Sequence, residues 1–262
     1  MEARFYHIDA FTDRVFAGNP AGVCFLDAWL EDDRLQSIAA ESNLSETAFL
    51  VSAGHHYELR WFTPKLEIDL CGHGTLASAF AVLEYKDTLA RQVAFETRSG
   101  RLTVERRGDL LLMDFPARPP EPYRSPDNLE EILGIPPVGT FRSARDLLVI
   151  YEQEDQIRSL APRMEQLAGL DFFGVIVTAP GKNCDFVSRF FAPRAGIPED
   201  PVTGSAHCTL IPYWSGRLGK KELQARQLSA RGGALFGLDR GDRVSIGGRA
   251  VTYLQGTIRI ET

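Results

Sequence analysis

Cys71-Gly72-His73-Gly74-Thr75-Leu76-Ala77 opens an apolar helical run that reaches Glu84, and Asp200-Pro201-Val202-Thr203-Gly204-Ser205-Ala206-His207 opens another. The two glycine-containing loops lie 132 residues apart (203 − 71 = 132). They are the last of several blocks that recur in order. Asp33, Leu35, Ser37 and Ala39 match Asp155, Ile157, Ser159 and Ala161 at an offset of 122 (155 − 33). Phe49-Leu50-Val51-Ser52-Ala53 lines up with Ile176-Val177-Thr178-Ala179, and Phe62-Thr63-Pro64-Lys65 with Phe191-Ala192-Pro193-Arg194 at an offset of 129 (191 − 62). An offset that drifts upward while the order holds is what duplication followed by loop insertion leaves. The competing explanation is chance similarity between two β-rich segments. A duplicated α+β chain should set the two loops facing each other across a pseudo-two-fold cleft.

Outward from the loops, strands are predicted at Arg4–Phe11, Val23–Leu26, Tyr57–Phe62, Val93–Glu96, Leu102–Arg106 and Leu110–Phe115, with a strand also entered at Ser45 to Val51. Gly18-Asn19-Pro20-Ala21-Gly22 reads as a turn. Glu31 to Ala40 carries Leu35, Ile38 and Ala39 at helical spacing, with Asp32 and Asp33 in its first turn. Pro116 to Pro126 holds five prolines and favours an extended linker. The boundary between an N-terminal lobe, 1–117, and a C-terminal lobe, 118–251, is placed there.

The charge balance of 29 − 35 = −6 argues against a nucleic-acid partner, since such proteins carry a basic footprint. The N-terminus lacks a signal-peptide pattern, and no apolar stretch approaches the roughly 18–20 residues of a membrane span. Four scattered cysteines, Cys24, Cys71, Cys184 and Cys208, suit a reduced, cytoplasmic setting. The five histidines form no linear metal-ligand spacing, so no metal is expected. Phosphate-loop, dinucleotide and nucleophile-elbow motifs do not occur, and no cofactor is expected. A small-molecule protein remains.

Backbone N–H groups at the two loops, helped by the helix dipole, suit a carboxylate or a developing enolate. The plainer alternative is two glycine turns with Asp200 and Ser205 as helix caps. Glu46 sits where a helical segment hands over to an apolar strand, and its counterpart in the repeat falls near Phe173. Partial desolvation there raises a carboxylate toward the range of a general base, although a solitary glutamate is ordinarily a solvated surface residue. His73, between two glycines at a helix start, is expected to be held neutral by the dipole, as a donor or proton relay, or else to be a capping or core residue. Cys71 is a candidate low-pKa thiol, but a two-thiol mechanism needs a second thiol where Thr203 stands. His207 reads as an internal helix position. Arg231, in a polar stretch from Ala225 to Gly233, is a candidate anion-binding arginine or an ordinary hairpin residue.

Together Asp9-Ala10-Phe11-Thr12, Phe16-Ala17-Gly18-Asn19-Pro20-Ala21, Asn43-Leu44-Ser45-Glu46-Thr47-Ala48-Phe49, Trp61-Phe62-Thr63-Pro64 and the two loops resemble the PhzF-like, phenazine-biosynthesis-type isomerases. The resemblance runs over nearly the whole chain. It implies the diaminopimelate-epimerase-like fold: two pseudo-symmetric lobes, each a rolled, mostly antiparallel sheet around a central helix, with the site between them. It further implies that the last strand, about 252–262, returns to the first lobe, and that the protein is a homodimer. The family's acid/base glutamate falls on Glu46, its loop histidine on His73, and its second-lobe residues on Asp200 and Ser205. Glu46, His73 and Asp200 are thus the expected catalytic residues, and Asn19, Gly72, Gly74, Gly204 and Ser205 the expected substrate-binding ones. The implied activity is cofactor-independent proton transfer between carbons of a small carboxylate substrate. A cysteine-assisted racemase and a non-catalytic binding protein are the alternatives. Gly74 departs from the alanine of many relatives and is expected to loosen its loop.

Overall fold

Two helices, Gly72–Tyr85 and Gly204–Leu218, are apolar on nearly every face, and a helix of that kind must be covered on all sides. In the computed structural model, which describes residues 1–260, each is the buried helix of one compact unit. One unit is Met1–Asp114 with Gly247–Thr262, and the other is Phe115–Ile246. Both boundaries fall inside strands, Leu110–Pro116 and Arg243–Gly248. The division therefore lies slightly ahead of the proline-rich segment, and the returning segment starts at Gly247. Two of the predicted linker residues, Glu121 and Pro122, form a short strand that pairs with Phe141 and Arg142.

In the first unit Glu2–Ala10 pairs antiparallel with Asn19–Leu26 and with Ala250–Arg259. Residues 261 and 262 of the predicted last strand lie outside the described residues. Asn19–Leu26 runs parallel to Glu46–Ser52, the crossover being the helix Asp32–Ser42. Glu46–Ser52 is antiparallel to Tyr57–Phe62. After the buried helix, Gln92–Thr97 pairs parallel with Tyr57–Phe62 and then antiparallel with Gly100–Arg107. Parallel neighbours need a crossover, and the helices supply it.

The second unit repeats this order. Gly139–Ser143 is antiparallel to Asp146–Ile150, which is parallel to Gly174–Pro180. Gly174–Pro180 is antiparallel to Phe186–Phe191, which is parallel to Glu222–Gln227, itself antiparallel to Gly233–Asp239. Five successive pairings thus have the same sense in both units, as duplication requires. The register also sharpens the alignment. Ala21 pairs with Glu46 and Asp146 with Gly174, while Thr47 pairs with Phe62 and Val175 with Phe191. The counterpart of Glu46 is therefore Gly174 (174 − 46 = 128), one residue beyond Phe173. The hydrophobic run Val175–Ala179 is buried on both faces, so no in–out alternation was present in the sequence to set its register.

Asn19-Pro20-Ala21-Gly22 is strand, and the turn lies before it, at Phe11–Gly18. Pro20 comes one residue before pairing with Glu46–Ser52 begins, so its missing N–H forfeits nothing on that side. The turn is tight. Phe11 and Phe16 take positive φ (62° and 67°), and at Gly18 (φ +67°) a Cβ would sit 2.1 Å from the Ala10 carbonyl oxygen. Non-glycine residues in this region store strain, and such strain gathers at functional sites. Beneath the sheet, Leu35 and Ala39 of the helix Asp32–Ser42 pack on Cys24, Phe49 and Phe62. In the second unit Leu129, Ile132, Leu147, Val149, Val177 and Phe191 share one core. Among the described residues no helix is long and apolar enough to cross a membrane.

Asp146 is one of the buried polar residues of the second unit. It is 2% exposed, its Oδ1 has no hydrogen-bond partner, and the Arg145 Nε is 3.8 Å away. Burial raises its pKa to about 6, against the pull of Arg145 and Arg118. The folded chain then keeps a proton that the unfolded chain releases near pH 4, so stability falls as pH rises from about 4 to 6 and stays lower above. Asp146→Asn is expected to stabilise the protein by about 1–3 kcal/mol at pH 7.5. At pH 4 the gain should vanish. Denaturant midpoints at the two pH values test this.

Candidate active site

The helix Asp32–Ser42 ends at Asn43 in the left-handed region (φ 47°), a conformation asparagine tolerates. That turn delivers Glu46 as the first residue of a strand, 8% exposed. His73, 7% exposed, is the second residue of the buried helix. The two meet: His73 Nε2 lies 2.8 Å from Glu46 Oε2. Asn19, fully buried, donates from Nδ2 to His73 Nδ1 at 3.2 Å, and Ser45 Oγ donates to Asn19 Oδ1 at 3.4 Å. With Nδ1 accepting, the neutral ring carries its proton on Nε2, facing Glu46. A second proton on Nδ1 requires Asn19 to turn its amide. The first unit therefore gathers Asn19, Ser45, Glu46, Cys71 and His73.

Cys71 is the N-cap of the helix and accepts the Gly74 N–H at 3.3 Å; its Sγ lies 3.6 Å from His73 Nδ1. Burial, reinforced by the charge of Glu46, pushes the Cys71 thiol up from its ordinary value. The low-pKa thiol expected from the helix terminus is thus not what the tertiary setting produces. For His73 burial pulls downward, yet the acidic neighbours Cys71 and Glu46 outweigh it and hold the imidazole well above its ordinary value. The dipole-lowered histidine of the sequence reading is corrected for the same reason. Helix position was visible in the sequence, whereas the facing carboxylate was not.

Gly74 does not loosen the loop. A Cβ at this position would lie 2.9 Å from Trp61 Cδ1 and 3.0 Å from Cys71 Sγ, so the glycine lets the indole approach. Trp61 is 1% exposed and its Nε1 has no hydrogen-bond partner. Gly72 is the first residue of the helix.

The second loop lies in the other unit. Thr203 is the N-cap of Gly204–Leu218, the place Cys71 holds in Gly72–Tyr85. Its Oγ1 donates to Asp200 Oδ2 at 2.5 Å. Asp200 and Ser205 are half-buried and Gly204 is buried. His207 Nδ1 donates to the Thr203 carbonyl at 2.8 Å, and burial lowers its pKa to about 4. It is a neutral internal residue, as its helix position suggested.

Gln227, which the sequence did not single out, holds this loop. Fully packed in the interior, it accepts the Thr203 N–H at 2.9 Å and donates to the Asp200 carbonyl at 2.8 Å and to Thr203 Oγ1 at 3.1 Å. Ser229 Oγ adds a bond to the Pro201 carbonyl at 2.8 Å. Both come from the polar stretch flagged for Arg231, which is half-buried. The only sequence signal for Gln227 was a polar residue at an inward position of an alternating strand.

A mixed α+β fold of two repeated units, with a buried glutamate–histidine pair at the start of one central helix, is the class the geometry defines. Residues 8–256 match the model of the phenazine biosynthesis-like protein family, PhzC-PhzF. A Pseudomonas aeruginosa protein named as an uncharacterized isomerase is 52% identical over 260 residues, covering 99% of this chain and 100% of its own. One of that name from Halalkalibacterium halodurans is 44% identical over 262 residues, covering 98% and 99%. The crystal structure of an Enterococcus faecalis PhzF-family protein superimposes with a TM-score of 0.97 at 44% identity, covering 99% and 100%. A probable proline racemase from Agrobacterium radiobacter shares the fold at a TM-score of 0.63 and 9% identity, over 99% and 93% of the two chains. The chain belongs to the PhzC-PhzF family and is an isomerase-like protein of that family.

Two substitutions test the packing of these loops. Gly74→Ala is expected to lower stability by about 1–3 kcal/mol through overpacking, with a shift in tryptophan emission. Gln227→Leu leaves the buried Thr203 N–H unpaired, a loss of about 1–3 kcal/mol. Amide exchange at Thr203 should accelerate with it.

Proposed function

We propose that the protein is a cofactor-independent isomerase that moves a proton between carbons of a small carboxylate substrate, with Glu46 as the proton carrier. One observation carries the reading: a buried carboxylate lies 2.8 Å from an imidazole whose other nitrogen is held by Asn19. Glu46 takes the proton from a carbon already activated by the carboxylate or an adjacent double bond. The Glu46 carboxyl then returns that proton to another carbon on the same face. His73 Nε2 steadies the carboxylate charge when Glu46 is ionised.

By the same family reading, N–H groups at Gly72 and Gly204, with the Ser205 hydroxyl, meet the charge that develops on the substrate. Each such donor is typically worth about 2.7–4 kcal/mol, and general base work adds about 10²–10⁴-fold. Asp200, with the Thr203 hydroxyl directed at it, handles a second proton. By the same family reading the protein works as a homodimer.

A thiol mechanism has one observation in its favour, the contact of Cys71 with His73. Two count against it: the raised thiol pKa, and Thr203 at the equivalent N-cap. The decisive experiment screens small carboxylates for solvent deuterium incorporation. Glu46→Gln should lose about 10²–10⁴-fold in exchange rate, whereas Cys71→Ser should keep most of it. Full exchange by Glu46→Gln overturns the proposal, and loss on Cys71→Ser alone selects the racemase reading.

A further inference from the structure

Glu46, Cys71 and His73 lie 25 and 2 residues apart in the chain (71 − 46 = 25, 73 − 71 = 2), so no linear motif announces them as a set. Folding brings one ligating atom of each within 4.8 Å of the others, and all three are buried. His73 Nε2 is 2.8 Å from Glu46 Oε2 and 3.9 Å from Cys71 Sγ. Tetrahedral zinc with ordinary bond lengths separates nitrogen from oxygen by about 3.4 Å and nitrogen from sulfur by about 3.6 Å. The observed separations differ from these values by about 0.6 and 0.3 Å, so the Glu46 carboxylate and the Cys71 side chain both adjust on binding.

A second observation points the same way. Glu46 Oε2 is shut off from solvent, and the polar group that meets it is the His73 imidazole, 2.8 Å away. A buried carboxylate oxygen favours positive charge beside it, and a cation shared with that imidazole supplies it.

We infer that Glu46, Cys71 and His73 form a binding site for a thiophilic divalent cation, zinc above all, whose occupancy switches the protein off. Thiolate and imidazole select zinc or cobalt over magnesium or calcium. The charges close: a divalent cation, one carboxylate, one thiolate and a neutral imidazole sum to zero, which suits a buried site. The protons balance as well. Cys71 gives its thiol proton to solvent, and the Nε2 proton of His73 moves to Nδ1. Asn19 then turns its amide so that Oδ1 accepts that proton, the outer contact that ligating histidines usually make. The bound cation takes the carboxylate oxygen and imidazole nitrogen that proton transfer needs. The inhibition rests on Glu46 being the carrier; the binding does not.

Cobalt(II) titration of the intact, chelator-stripped chain tests the site without any substrate. One equivalent should produce a thiolate-to-cobalt charge-transfer band with tetrahedral visible bands, and zinc should displace both. Cys71→Ser should lose the charge-transfer band, with circular dichroism confirming its fold. Should that variant not fold, the near-isosteric Glu46→Gln keeps the thiol and should bind cobalt at least about tenfold more weakly. Absence of the band in the native chain overturns the inference. So does an unchanged band in Cys71→Ser, which would place the metal on Cys24, Cys184 or Cys208. Cobalt bound as described while deuterium exchange continues undiminished establishes the metal site and counts against Glu46 as the carrier.

Discussion

The position of one imidazole organises the first unit. His73 is gripped at both ring nitrogens, by Asn19 at Nδ1 and Glu46 at Nε2. Each grip depends on a separate long-range constraint. The parallel register of Asn19–Leu26 against Glu46–Ser52, which sets Ala21 beside Glu46, brings the amide and the carboxylate to the same end of the sheet. Burial of the helix Gly72–Tyr85 brings its N-terminus, and so His73, to that end. A slip of one residue in the strand pair would turn Glu46 to the other face, and the pair would be lost.

That arrangement also explains why neighbouring residues behave unlike isolated ones. The helix N-terminus should favour a thiolate at Cys71 and a neutral ring at His73. The tertiary setting reverses both tendencies: burial, reinforced by Glu46, raises the thiol, and Cys71 with Glu46 outweighs burial to favour a positive ring at His73. At the corresponding place in the second unit the carboxylate is absent, because Gly174 stands where Glu46 would be. The duplicated frame was kept and the chemistry was not. Thr203 and Gln227 instead build a hydrogen-bonded brace for Asp200.

Gly74 shows how close packing and chemistry share a residue. With no Cβ it lets Trp61 press against the turn that carries Cys71 and His73. The indole thereby limits how far the turn can move. The positive φ of Phe11 and Phe16, ahead of Asn19, is a comparable expense on the other side of the imidazole.

By itself the sequence determined the repeat, the two glycine loops, the buried helices that follow them, and Glu46 as the residue breaking the symmetry. Those are local or periodic signals: residue type, spacing and an offset that persists along the chain. Only the tertiary structure decided that Glu46 touches His73, that Asn19 orients the ring, that Gln227 braces the second loop, and that Asp146 is buried with an unpaired oxygen. It also moved the counterpart of Glu46 to Gly174 and turned Asn19–Gly22 from a turn into strand. The reason is physical. Strand register and side-chain contact across a sheet are set by which distant segments pair, and a doubly buried apolar strand carries no alternation from which that pairing can be read.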